Sequence, residues 1–246
     1  SALGDLRFCR DHGIRYPYVT GAMANGIASC EVVEAISKAD MLAFFGSAGL
    51  SLSRIEAAIV RLKQNLGNRP FGFNLIHSPN EQGHESATVD LYLRHEIRLV
   101  EASAYLDLTP HIVRYRLSGI HRDSSGNIVT PNKVIAKVSR VEVARKFLSP
   151  PPEAFLAILV AEKAITEATT APTSISIKMR LVIRIGGRGA GVAYAIRVPP
   201  PRFKSELRHH RAWIGAGAPG LSRARLATPE SSTPRSVTSG SCCSAP

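Results

Sequence analysis

The amino-acid sequence predicts an α/β fold with a parallel sheet for residues 1–171, followed by a tail of a different character. Two observations carry this. Short apolar runs of strand length alternate with amphipathic stretches of helix length, the pattern of successive β–α units. The charge is also split: residues 1–171 hold 19 Lys+Arg against 17 Asp+Glu, whereas residues 172–246 hold 12 against 2 and no aspartate. Nearly the whole net charge of +12 is therefore a property of the tail.

Taken in order, Tyr16–Met23 reads as a strand ending in the small-residue turn Ala22-Met23-Ala24-Asn25-Gly26. A helix follows from Ser29, with Val32, Val33, Ile36 and Ala39 at helical spacing and Glu31 in the first turn, where it complements the helix dipole. Met41–Phe45 is a second buried strand. Ser51 or Ser53 then caps a helix whose inner face is Ile55, Ala58, Ile59 and Leu62. Phe71–Ile76 is a third strand, Val89–His95 a short helix, and Arg98–Ala102 a fourth strand. Ile120–Thr130 reads as a hairpin about Ser124-Ser125-Gly126-Asn127. Val134–Val138 is a further strand, Val141–Leu148 a helix ended by Pro150-Pro151-Pro152, and Glu153–Ala168 one more helix. Four β–α repeats and a fifth strand make the first half or so of a TIM (β/α)8 barrel, whose eight units need about 250 residues.

Composition limits the other classes. The chain has 246 residues, 44% of them hydrophobic, enough for a core where the apolar residues recur periodically. No apolar run approaches the ~20 residues of a bilayer span, and Ser1–Arg15 is too polar for a secretory signal. A cytoplasmic protein with no membrane partner is expected, and the missing initiator Met suggests a fragment or processed product. Cys9, Cys30, Cys242 and Cys243 form neither a disulfide framework nor a metal-ligand spacing, so no metal is expected.

The strings Tyr16–Ser29 (YPYVTGAMANGIAS), Phe71–Ile76 (FGFNLI) and Val134–Val138 (VIAKV) resemble the flavin enoyl-reductase and nitronate monooxygenase superfamily, also called 2-nitropropane dioxygenase-like. Asn74–Asn80 (NLIHSPN), Val100–Leu108 (VEASAYLDL), Ile135–Val141 (IAKVSRV) and Lys146–Pro152 (KFLSPPP) resemble its PfaD branch specifically, the enoyl-reductase subunit of polyunsaturated fatty acid and polyketide synthases. The resemblance covers about residues 6–168. It implies an FMN-binding barrel that uses NADPH or NADH to reduce enoyl thioesters carried on acyl carrier protein domains. It also implies that Ala22, Met23, Asn74 and Lys137 bind the cofactor; no catalytic residue is assigned. Ordinary roles stand beside these: a Met in such a turn usually packs in the core, and an Asn at a strand end usually caps or turns. Lys137 in an apolar strand is stranger, because an unpaired buried ammonium is costly.

The resemblance stops where the family continues into a Gly-His-Thr-Asp-type motif and glycine-rich phosphate loops. Codons compatible with Leu181–Gly187, regrouped by one base, spell Ala-Gly-His-Thr-Asp-Arg-Arg, so the tail reads as out-of-frame translation of GC-rich DNA. A truncated, impaired enzyme is expected, with a poorly ordered basic tail, rich in Pro, Ser and Gly, and no readable domain at 172–246. A nitronate monooxygenase-like oxidoreductase is the alternative. A basic nucleic-acid-binding protein ranks lower, since Tyr194, Phe203 and Trp213 are too scattered to form a stacking platform among the arginines. No specific nucleic acid partner is expected. Gly215–Gly220 matches a dinucleotide fingerprint in letters only, because no strand precedes it and Pro219 lies inside it.

Overall fold

A computed structural model of the chain describes residues 6–81 and 83–165, and the backbone of 180–184 and 193–196. The chain divides into two units, 1–201 and 202–246, and every described residue belongs to the first. The main sheet runs β1 (Val19–Thr20), β2 (Leu42–Phe45), β3 (Gly72–Ile76), β4 (Leu99–Ser103), then β7 (Lys133–Val138), β8 (Arg180–Arg184) and β9 (Ala193–Ile196). All neighbours pair in parallel except β8 with β9. Between β4 and β7 lies the small antiparallel hairpin of β5 (His121–Arg122) and β6 (Ile128–Val129).

The sheet is the curled parallel half-barrel that the sequence predicts, and strands β1 to β4 are each followed by a helix. These are α2 (Cys30–Lys38), α3 (Leu52–Leu66), α4 (His84–Arg94) and α5 (Pro110–Leu117); α6 (Val141–Leu148) follows β7, and α7 (Glu153–Ala161) comes after it. Ser29 caps α2 by accepting from the Val32 N–H, and Ser51 occupies the cap position of α3. Helix α5 is not legible in hydrophobic spacing, yet its start carries a plain signal. Thr109 accepts from the Ile112 N–H and Pro110 sits in the first turn, where a missing N–H costs nothing. Helix α4 begins five residues before its apolar stretch, because Glu85 and Thr88 are buried polar residues on its inner face.

Each strand has two faces. Ala43, Phe45, Phe73, Leu75, Val100, Ala102, Val134, Ala136 and Val138 pack outward against the helices in one large core. Leu42, Phe44, Leu99 and Ile135 point the other way, into the barrel interior, with Val19. That inner cluster is closed by Phe8, Cys9 and Ile14 from α1 (Leu6–His12) and the turn after it. Lys133, at the N-terminal end of β7, donates to the Asp11 carbonyl and ties the plug in place. The polar N-terminal segment thus hides a helix whose apolar residues fill the bottom of the barrel.

Strands β8 and β9 lie in the stretch for which the sequence predicts no domain. The run Leu181-Val182-Ile183 has the β propensity to extend the sheet, and it does so beside β7. The remainder of the expected tail, including the boundary at residue 172, lies outside the described residues. Among the described residues no helix is long and apolar enough to cross a membrane.

The plug makes stability pH-dependent. His12 is buried against the Phe8 ring with its Nε2 unpartnered. Burial, aided by the Lys133 ammonium, pushes its pKa down to about 4. The unfolded chain takes up this proton near pH ~6.5, so stability is fully present above that pH and declines as pH falls toward about 4, by up to about 3 kcal/mol. Urea melts at pH 7, 5.5 and 4.5 should show the decline, and H12L should flatten it. An equal decline in H12L would remove His12 as the cause.

Candidate functional site

Barrel strands deliver their C-terminal ends to one mouth, and there this chain collects its unusual polar groups. After β1 the backbone turns through 21–28 and is clamped onto the loop after β2. The Asn25 N–H donates to the Ala48 carbonyl, the Gly26 N–H to Gly46, the Gly46 N–H to Ala28, and the Ala28 N–H to Met23. The approach is close enough that a Cβ on Gly46 would lie 1.6 Å from the Met23 carbonyl oxygen. Only glycine fits there. A Cβ on Gly21 would likewise meet Glu101 Oε1 at 2.9 Å.

Glu101 is the centre of the site. It sits on β4 between apolar neighbours, alternates inward with Leu99, and pairs in register with Asn74 on β3 and Ile135 on β7. Its side chain is only 2% exposed. The carboxylate accepts from the Lys137 ammonium at 3.0 Å and from the Ala22 N–H at 2.9 Å, while Lys137 also donates to the Ala22 carbonyl at 3.2 Å. Burial pushes the Glu101 carboxyl above its ordinary range, opposed by the Lys137 charge and the Ala22 N–H. Lys137 keeps a quarter of its side chain exposed toward the mouth.

Asn74 completes the arrangement from β3. Its Nδ2 donates to the Glu101 carbonyl and to Ser103 Oγ, at 3.1 and 2.9 Å. Its backbone carbonyl accepts from the Tyr92 and Ser47 hydroxyls, whose oxygens lie 2.8 Å apart. Burial pushes the Tyr92 phenol well up, so it remains a donor at any working pH.

The structure therefore brings Ala22, Asn74 and Lys137 to one mouth, linked through Glu101. Met23 lies beside them with its backbone in the clamp and is 45% exposed as a residue, so it is not the core residue such a turn would ordinarily hold. Glu101 itself escapes the reading of the sequence. The signal is present: a carboxylate inside Leu99-Val100-Glu101-Ala102 and an ammonium inside Ile135-Ala136-Lys137-Val138 are opposite charges in apolar strands. Each calls for a partner, but the strings do not say which.

The chain is 38% identical over 238 residues to the polyketide biosynthesis protein PksE of Bacillus subtilis, covering 93% of this chain and 30% of that one. It is 44% identical over 167 residues to the polyketide biosynthesis protein ThaF of Burkholderia thailandensis, and 42% over 165 residues to a polyunsaturated fatty acid synthase component of a Thraustochytrium species. Those two matches cover 68% and 67% of this chain, but 14% and 11% of the relatives. Among solved structures, the enoyl reductase domain of MlnA from the macrolactin cluster of Bacillus amyloliquefaciens is similar, with 37% identity and a TM-score of 0.70 over 76% of this chain and 44% of that chain. No family model matches. The chain spans less than a third of these curated relatives.

Removing one partner of the buried pair should expose its role. K137M leaves Glu101 buried beside a lone N–H and should cost about 2–3 kcal/mol, the low end for a broken buried pair because Lys137 is partly exposed. Adding E101Q should recover at least half of that loss in the same denaturant melts. R140M, which removes an exposed ion pair to Glu142, should cost under about 0.5 kcal/mol. Equal costs for K137M and R140M would contradict the central place of the Glu101–Lys137 pair.

Proposed function

We propose that this chain, a relative of the PfaD-like enoyl reductases of polyketide and polyunsaturated fatty acid synthesis, carries the ring-side portion of an FMN-dependent enoyl reductase site. The observation that supports it most is the convergence of Ala22, Asn74 and Lys137 on Glu101 at the barrel mouth. When bound, FMN would relay hydride from NADPH or NADH to the double bond of an enoyl thioester. The residues present suit that group. The small residues around Ala22 and Met23 let backbone amides approach a flat ring. Asn74 Oδ1, with no hydrogen bond among the described residues, is an acceptor left for a ring N–H. Lys137 offers a cation that favours a reduced, anionic ring, and Glu101 keeps the ammonium from swinging away.

The substrate would arrive on an acyl carrier protein domain of a synthase, as befits relatives that are synthase components or polyketide biosynthesis proteins. These relatives lend no support to nitronate oxidation or nucleic-acid binding. The FMN phosphate in barrels is usually held by amides after the seventh and eighth strands, and residues 172–246 offer no readable counterpart of that motif or of the family's histidine motif. The chain as written is therefore expected to hold FMN weakly and turn over negligibly. A single inserted or deleted base near the codons for residues 168–190 would assign the tail to a shifted frame. An uninterrupted frame would make the stretch matched to PksE a genuine continuation.

The test is to titrate FMN into the purified chain, follow flavin fluorescence, and follow NAD(P)H oxidation with a crotonyl thioester. Weak quenching that K137M reduces at least fivefold is the expected result. Absence of quenching at any concentration would end the flavin reading. Stoichiometric yellow protein with steady turnover would show that the tail completes the site.

A further inference from the structure

A second polar cluster sits on the same rim. His77 follows β3 directly, and its N–H donates to the carbonyl of Ser103, the residue whose hydroxyl accepts from Asn74. Its ring Nδ1 lies 2.9 Å from Glu85 Oε2 on α4. Glu85 is buried, and its other oxygen accepts from Tyr105 at 2.8 Å and from Thr109. Tyr105 packs against the imidazole, tilted by 30° with ring centroids 5.6 Å apart, and is itself held edge-on by Phe147. Thr109 is at the same time the cap of α5.

This is more than a loop fastening. Two hydroxyls donate to Oε1 of Glu85, which leaves Oε2 for the imidazole, and a carboxylate oxygen accepts. The imidazole must therefore present Nδ1–H to Glu85. That fixes the tautomer, and the Tyr105 ring packed against the imidazole limits its rotation. Nε2 is left without a hydrogen bond among the described residues, on a side chain one-third exposed at the mouth. A histidine oriented by a carboxylate, with its other nitrogen free, is the arrangement proton transfer needs. The first turn of α4 seats this buried carboxylate.

We propose that His77 is the proton-transfer group of this mouth, acting through Nε2 on the carbon next to the thioester carbonyl, with Glu85 as its positioning residue. The proposal rests on the enoyl-thioester reading above. Hydride, originating from the nicotinamide, adds to the β-carbon and brings two electrons. The π pair of the double bond moves onto the α-carbon and thioester oxygen as an enolate. That pair then takes the Nε2 proton of His77, leaving a neutral imidazole that is reprotonated from solvent. The thioester gains one hydride and one proton, and the nicotinamide is oxidised by two electrons. Run in reverse without any redox step, the same nitrogen removes an α-proton from a saturated thioester.

That reverse step needs no flavin and can be read on the full chain. Butyryl-pantetheine in deuterated buffer should lose its α-proton NMR signal faster with the chain than with an equal concentration of free imidazole. H77Q keeps an N–H for Glu85, so its melting curve should match the wild type while exchange falls at least tenfold. In E85Q, long-range 15N spectra should show the His77 Nδ1–H tautomer giving way to a mixture, with exchange reduced but not abolished. Exchange no faster than free imidazole, or a wild-type rate in H77Q, would overturn the proposal. Exchange without FMN quenching would keep the proton-transfer site and sink the flavin reading. Quenching without exchange would do the reverse.

Discussion

The ion pair between Glu101 and Lys137 is the constraint around which this half-barrel is arranged. It joins two adjacent central strands, and through the Ala22 N–H and carbonyl it also holds the turn that leaves the first strand. A carboxylate so fully shielded from water is tolerable only with its partners in place. The strand register, the small residues at Gly21 and Ala22, and the position of Asn74 all follow from keeping them there. Gly46 belongs to the same logic, since the turn can reach Glu101 only by lying directly on the backbone after the second strand.

The mouth is then organised in two tiers. The inner tier is charged and held by strands, with Glu101 and Lys137 facing into the barrel. The outer tier is held by loops and helix starts, with Glu85 gathering His77, Tyr105 and Thr109. Ser103 joins them: its hydroxyl accepts from Asn74 and its carbonyl from the His77 N–H. A group resting on the inner tier and a substrate arriving from outside would therefore be handled by residues whose positions are mechanically linked. At the opposite end, α1 fills the barrel with Phe8, Cys9 and the buried His12, so the N-terminal face is apolar packing and the C-terminal face gathers the polar groups.

How much of this can be read in advance varies with the kind of signal. Helices with an unbroken apolar face, such as α2, α3 and α6, are legible because hydrophobic period and secondary structure coincide. The start of α4 is not, because Glu85 and Thr88 occupy inner positions, and polar residues there erase the period. Helix α1 escapes notice because its charged residues mask Phe8 and Cys9, and only the barrel interior supplies a reason for them to be buried. Lys137 is recognisable as an anomaly. Its partner cannot be named from spacing, since 36 residues and a crossover separate it from Glu101.

By itself the sequence determined the order of the first four strands and the fifth parallel strand with helices α2, α3, α4, α6 and α7, the parallel sheet they imply, the family resemblance, and Ala22, Met23, Asn74 and Lys137 as the residues to watch. These are local or string-like properties, written in period, caps and motif. The tertiary structure decided the rest: which carboxylate neutralises Lys137, which glycines are obligatory, and which histidine is buried and which is held by Glu85 after the third strand. It also placed a strand from Arg180–Arg184 beside the fifth parallel strand. Those outcomes depend on distances between residues far apart in the chain, and such distances exist only once the sheet has curled.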